Sequence, residues 1–260
     1  MKNLLLALLL AGSALAPDAQ AQTLGLRLIL VGDSTLAPRS GYGNALCQRL
    51  DQLACLNLAR GGRSSKSYRA EGLWSSVLAL LREGGQRDLV LIQFGHNDQP
   101  GKPGRSTDLA SEFKPNLAGY VREARAAGAE VLLLTPLTRR SFDAQGQLQN
   151  DLRPWALATL ALADELQVPV IDLNGLSAVA VQAMGREQAD HLAIAPPASG
   201  AMHVPPPWMV ERAGPARTLF DHTHVGPQGA ALFADLVLQA LLALRPELAA
   251  AVTPAAPPRP

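Results

Sequence analysis

"LRLILVGDST", residues 26–35, runs as an apolar stretch from Leu26 to Val31 and then stops at Gly32, Asp33, Ser34 and Thr35. A short apolar run closed by a glycine reads as a buried strand. Two readings fit the residues after the glycine. Asp and Ser are good helix N-caps, and a strand leading into a helix needs a turn. Equally, Ser34 is a nucleophile held at the end of a buried strand. In that case the rest of the chain must supply a base, a group that orients the base, and donors for a developing oxyanion. Ser34 alone does not choose between them.

Similar runs recur at Cys55–Ala59, Leu89–Phe94, Val131–Thr135 and Val168–Leu173. Between them lie stripes at helical spacing: Leu46, Leu50 and Leu53; Leu117, Tyr120, Val121 and Ala124; Leu152, Trp155, Ala156, Thr159 and Ala163. A last stripe comprises Phe233, Leu236, Val237, Ala240, Leu241 and Leu244. Continuous apolar strands alternating with amphipathic helices predict a parallel sheet covered on both faces. The expected fold class is therefore a three-layer α/β arrangement with about five strands.

The 260 residues suit one large domain preceded by a leader. Lys2, the apolar stretch Leu4–Ala16 and the small-x-small triplet Ala19-Gln20-Ala21 read as a secretory signal over residues 1–21. The globular domain is placed at 22–252, and 253–260 forms a Pro/Ala-rich tail. Residues 185–220 carry six prolines and read as a long loop. With 23 Lys and Arg against 22 Asp and Glu, the net charge is +1. That balance carries no nucleic-acid footprint. No second apolar run is long enough to span a bilayer, so no membrane association is expected after the signal is removed. In an exported protein Cys47 and Cys55 suit a disulfide, and they equally suit two small buried hydrophobes.

Ligands of open α/β sheets lie beyond the carboxyl ends of the strands, and four polar segments fall there or just before the last helix. They are Gly32-Asp33-Ser34, "RGGRSSKSY" (60–68), "GHND" (95–98) and "DHTH" (221–224). Asp221 and His224, three apart, can share one turn with the carboxylate against the imidazole. The acid would then fix the tautomer and stabilise the imidazolium, giving a Ser…Asp…His chain order. The backbone N–H groups of Ser34 and Gly62 and the side-chain amide of Asn97 are candidate oxyanion donors. Arg60, Arg63 and Lys66 are candidate contacts for substrate carboxylates, or else solvated charges that brace the loop. His222 and His224 with a nearby carboxylate also resemble zinc ligation.

Taken together, "GDST", "GGRSSKSY", "FGHND" and "DHTHVGPQGA" resemble the SGNH (GDSL-type) hydrolases, and within them the rhamnogalacturonan acetylesterase branch, carbohydrate esterase family 12. The resemblance implies a flavodoxin-like sheet of order 2-1-3-4-5, metal-free hydrolysis and removal of acetyl groups from pectic polysaccharide. It assigns Ser34, Asp221 and His224 to catalysis and Ser34, Gly62 and Asn97 to the oxyanion hole. The signal pattern predicts a secreted or periplasmic location, and the expected enzyme is a monomer that uses no cofactor and works through an acetyl-enzyme. Three alternatives remain at this level: a lipid esterase or thioesterase on the same scaffold, a non-catalytic carbohydrate-binding protein, and a metal-dependent hydrolase.

Overall fold

The computed structural model describes residues 25–195 and 220–252. The segments read as signal (1–21) and tail (253–260), and most of the Pro-rich stretch, lie outside the described residues. Five strands form one parallel sheet: β1 (Leu26–Gly32), β2 (Ala54–Asn57), β3 (Arg87–Gln93), β4 (Glu130–Leu134) and β5 (Val170–Ile171). Their order is β2-β1-β3-β4-β5, as expected, and every pairing is parallel.

The period-2 alternation of side chains sorts each central strand between two cores. Leu28 and Leu30 of β1, Leu89 and Leu91 of β3, and Leu132 and Leu134 of β4 face one layer. That layer is built by α1 (Gly43–Arg49), α6 (Leu173–Asp190) and α7 (Pro227–Leu244). Ile29, Val31, Val90, Ile92, Val131 and Leu133 face the other. There α3 (Leu73–Arg82), α4 (Lys114–Ala126) and α5 (Arg153–Glu165) supply Trp74, Val77, Leu117, Tyr120, Val121 and Leu162. A short helix, α2 (Ser67–Ala70), precedes α3. Proline in the first turn of α5 and α7 presets the backbone where an N–H would have no partner anyway.

Beyond the four-residue α2, the periodicity reading of the helices needs two additions and one correction. It lacks α3, a ten-residue helix that starts after Gly72 in the left-handed region with no side-chain cap. It lacks α6, whose exposed Leu176 and Val179 blur the contrast between faces. The correction concerns residues 185–220: helix α6 continues through 185–190 across a kink at Gly185 (φ 75°), so the loop starts later than expected.

Cys47 on α1 and Cys55 on β2 form a disulfide, with Cα atoms 5.5 Å apart. It pins the edge strand to the helix that covers it. By the chain-entropy model, closing so short a loop stabilises the fold by ~2–3 kcal/mol. Replacing both cysteines by serine should lower stability by about that amount while leaving the secondary structure in place. Urea unfolding of the two forms, followed by circular dichroism, checks this; equal midpoints would contradict it.

Candidate active site

Strands β1 and β3 lie side by side with Gly32 opposite Gln93, so the segments beyond their carboxyl ends emerge together. A Cβ on Gly32 would stand 2.5 Å from the Gln93 carbonyl oxygen, which accounts for the glycine that ends the run. Beyond it, Asp33 Oδ1 accepts from the Thr35 backbone N–H (2.9 Å) and hydroxyl (2.8 Å). Gln93 Nε2 donates to Thr35 Oγ1 at 2.7 Å, and Tyr42 donates to Gln93 Oε1. On the other side, Asp33 Oδ2 lies 3.2 Å from His96 Nδ1. All five side chains are buried. Burial pushes the Asp33 pKa up, but the electrostatic pull of His96 and the hydrogen bonds from His96 and Thr35 outweigh it and hold the carboxyl below its usual range. The turn so fixed carries Ser34, which is 2% exposed, and its Oγ has no hydrogen-bond partner among the described residues.

The second polar segment leaves β2 and packs against this turn. The Arg60 N–H donates to the Gly32 carbonyl at 2.9 Å, and a Cβ on Gly61 would lie 3.9 Å from Ser34 Cβ. Gly62 has φ +76°, a conformation that favours glycine. Asn97, beyond β3, donates through Nδ2 to the Arg63 carbonyl at 3.1 Å. Its Oδ1 accepts from Arg105 Nη1 at 3.1 Å and lies 3.5 Å from Lys102 Nζ. Arg105 Nη1 also donates to the Gly62 carbonyl at 3.3 Å. Asp98 accepts from the Ser65 N–H and hydroxyl and from the Thr107 hydroxyl. Burial dominates these donors and raises the Asp98 pKa to about 7.

The fourth segment is held by an arginine that sequence reasoning did not single out. Arg140 is wholly buried beyond β4. Its guanidinium donates to the carbonyls of Asp221 (2.8 Å), Thr223 (3.3 Å) and His224 (2.8 Å), and its backbone N–H donates to that of His222 (2.9 Å). Four consecutive carbonyls thus accept from one residue. Burial lowers the Arg140 pKa to about 10, opposed by Asp221 and Asp190, so the guanidinium stays charged at neutral pH. Inside this loop Asp221 Oδ2 sits 2.8 Å from His224 Nδ1. Asp221 Oδ1 accepts from the backbone N–H groups of Thr223 and His224, both at 2.9 Å. Burial raises the Asp221 pKa, but the hydrogen bond and charge of His224 and these N–H groups prevail, so it lies below the usual carboxylate range. Ser40 joins the loop to the serine turn: its hydroxyl donates to the Ser34 carbonyl (2.8 Å) and its carbonyl accepts from the Val225 N–H (3.0 Å).

The candidate basic residues separate sharply. Arg63 donates through Nε and Nη2 to Glu71 and through Nη1 to the Gly61 carbonyl. Lys66 pairs with Glu112 at 2.9 Å. Both brace the loop. Arg60 is exposed and has no side-chain partner among the described residues. The two histidines of "DHTH" face different carboxylates, since His222 Nδ1 lies 3.5 Å from Asp190. Among the described residues no three His, Cys, Asp or Glu side chains gather as metal ligands. Sequence reasoning missed Ser40, Lys102, Arg105 and Arg140. Lys102 and Arg105 left a trace, in the glycine-bearing loop shortly after "GHND".

The fold and this cluster define an acyl-ester hydrolase scaffold. The model of the GDSL-like lipase/acylhydrolase family matches residues 30–232, and the chain belongs to that family. It is 33% identical over 226 residues to rhamnogalacturonan acetylesterase RhgT of Bacillus subtilis, covering 83% of this chain and 89% of that protein. It is 27% identical to rhamnogalacturonan acetylesterase of Emericella nidulans, covering 90% of each. Among solved structures, protein YxiM of Bacillus subtilis superposes with a TM-score of 0.64 at 26% identity; the match covers 84% of this chain and 56% of that one.

Removing the Arg140 side chain leaves three loop carbonyls without their donor, at a cost of ~1–3 kcal/mol for each that water cannot reach. Arg140→Met should therefore lose at least about 3 kcal/mol in urea unfolding. Ester hydrolysis should fall further than the unfolded fraction explains, because the loop carrying Asp221 and His224 is released. A variant with an unchanged midpoint would show that other contacts hold the loop.

Proposed function

We propose that this chain is an exported serine esterase that removes O-acetyl groups from polysaccharide, with pectic rhamnogalacturonan as the substrate class. The observation that carries the reading is the Asp221–His224 pair at 2.8 Å, on a loop tied through Ser40 to the turn that bears the Ser34 hydroxyl, which has no partner among the described residues. With Nδ1–H donated to Asp221, the other ring nitrogen of His224 is the basic one. It takes the proton of Ser34 Oγ as the serine attacks the acetyl carbonyl.

The oxyanion that forms is met by the N–H groups of Ser34 and Gly62 and by Asn97 Nδ2. Collapse of the tetrahedral intermediate breaks the bond to the sugar oxygen, which leaves with the proton from His224. Water, activated by the same imidazole, then releases acetate from the acetyl-enzyme. The low Asp221 pKa keeps that carboxylate ionised, so it stabilises the imidazolium in both half-reactions.

The substrate assignment draws on the names of the relatives and on Arg60. A guanidinium unclaimed among the described residues, two positions from Gly62, suits a uronate carboxylate next to an acetylated sugar. Export draws on the residue 1–21 signal pattern and on the Cys47–Cys55 disulfide, which suits an oxidising compartment. In this reading 22–252 is the hydrolase domain, acting as a monomer with no cofactor, and 253–260 is a tail.

Ser34→Ala should fold normally and lose at least about a thousandfold in turnover. His224→Ala should lose comparably, and His222→Ala far less. In the wild type, kcat/KM should rise with pH through the neutral range, because the base must be uncharged and imidazole ordinarily titrates at about 6.5. Asp221 adds no limb there, being already ionised. Acetate release measured from pH 5 to pH 9 checks this, and a flat profile or an active, folded Ser34→Ala would sink the assignment.

Arg60→Ala should depress kcat/KM on acetylated pectin several-fold while leaving a small neutral acetate ester within about twofold. Added salt should weaken only the polymer reaction, because exposed charge pairs are screened within about 10 Å at 0.1 M. Equal effects on both substrates would remove Arg60 from carboxylate recognition.

A further inference from the structure

We infer that Arg105 is a positioning residue for ester hydrolysis, and that its guanidinium orients and polarises the Asn97 amide and holds the Gly62 segment beside it. The inference rests on the oxyanion assignment proposed above and goes beyond it by naming what fixes the donors.

A side-chain amide has two chemically opposite ends of nearly the same shape. Asn97 can stabilise an oxyanion only if Nδ2, not Oδ1, faces it. Its orientation is set by what lies behind it. Arg105 Nη1 donates to Oδ1 at 3.1 Å, and Lys102 Nζ stands 3.5 Å from the same oxygen. A flipped amide would aim its N–H groups at these cations, so the flip is strongly opposed. Of the two Nδ2 protons, one goes to the Arg63 carbonyl at 3.1 Å. The second is claimed by no acceptor among the described residues, which matches a donor kept for substrate.

The same Nη1 atom reaches the Gly62 carbonyl at 3.3 Å. One nitrogen therefore ties together the two segments that carry the Gly62 and Asn97 donors. Positive charge at the oxygen end of an amide draws electron density toward it and makes the N–H end a stronger donor. A guanidinium is suited to this task, because it stays charged and presents several donors in a fixed plane. Its strength in a partly solvated position follows from the short distance.

The chain returns Arg105 to this place by a closed loop. The Thr107 N–H donates to the Asp98 carbonyl at 2.9 Å and its hydroxyl to Asp98 Oδ1 at 3.1 Å. The N–H groups of Arg105 and Ser106 both donate to the Lys102 carbonyl. Gly101 and Gly104, at φ +85° and +72°, permit the tight path between. Asp98, the last residue of "GHND", thus closes the loop that brings a cation back to Asn97.

The test compares Arg105→Lys, Arg105→Gln and Arg105→Ala with the wild type in the full chain, using 4-nitrophenyl acetate. Circular dichroism and Tm establish folding, and the lysine variant guards against one that does not fold. Expected is a kcat order of Arg, then Lys, then Gln and Ala. Gln and Ala should be down by about tenfold or more and KM should stay within about threefold, since the group acts where charge develops and not on the ground state. Inactivation by a 4-nitrophenyl dialkyl phosphate, whose phosphoryl oxygen enters the same hole, should slow in the same order. A folded Arg105→Gln with kcat within about twofold of wild type overturns the inference, as does a loss confined to KM. Asn97→Ala, measured beside them, separates the two levels. If it loses about a hundredfold while Arg105→Gln loses nothing, only this inference fails; if it stays active, the oxyanion assignment fails with it.

Discussion

A buried chain of hydrogen bonds that ends on one carboxylate holds the site together. Tyr42 donates to Gln93, Gln93 to Thr35, and Thr35 to Asp33, with His96 against the other Asp33 oxygen. Each link points its donor toward the acid, so each polarises the next. None of these side chains reaches solvent, and a buried carboxylate without such donors would cost several kcal/mol. The chain spans the turns after β1 and β3, the two central strands, and thereby fixes Ser34 relative to Asn97. Its depressed Asp33 pKa carries a definite sign. Protonating that acid removes native-state stabilisation, so this contribution is present at neutral pH and is lost as pH falls below the ordinary carboxylate range.

Around this centre, irregular loops replace secondary structure, and their backbone groups still need partners. Arginine supplies many of them. Arg140 satisfies four successive carbonyls of the loop with Asp221 and His224, and Arg105 joins the glycine segment to Asn97. Arg139 spans from Thr223 to Gln99 and Asp151. These arginines come from the segments after β3 and β4. The sheet therefore contributes to the site twice, first by presenting functional residues at strand ends and again by sending back the cations that hold them.

This division explains what could be read from the chain alone. Apolar period and strand ends are local signals, so the sheet and the four polar segments were legible, whereas the strand order came from the family resemblance those segments carry. Partner choice is not local. Arg63 is claimed by Glu71, eight residues away, and Lys66 by Glu112, forty-six away. Nothing in "RGGRSSKSY" distinguishes those two from Arg60, which stays unclaimed among the described residues. Arg139 and Arg140 are adjacent in "LTRR", yet only the second is wholly buried. The cysteine pairing depended on a 5.5 Å Cα separation between a helix and an edge strand, which spacing alone does not give. Helix α6 carries no clear period because apolar Leu176 and Val179 lie on its solvent side.

What the network leaves unsatisfied is as informative as what it satisfies. Buried polar atoms normally find a partner, because each one that does not costs about 1–3 kcal/mol. Most of the exceptions among the described residues gather at this end of the sheet: Ser34 Oγ, His96 Nε2, Arg140 Nε, His222 Nδ1 and Asp190 Oδ1. Elsewhere the chain pairs its buried charges closely, as Arg27 does with Asp88 at 2.6 Å. A fold able to satisfy such groups retains a bare hydroxyl on its most firmly braced turn. Among the described residues it also leaves a second Asn97 proton and the exposed Arg60 guanidinium unclaimed. In the proposed mechanism those groups are the ones an ester substrate engages. In that reading, the stability forgone in leaving the buried Ser34 hydroxyl open is the physical counterpart of a site organised for a transition state and not for its own resting hydrogen bonds.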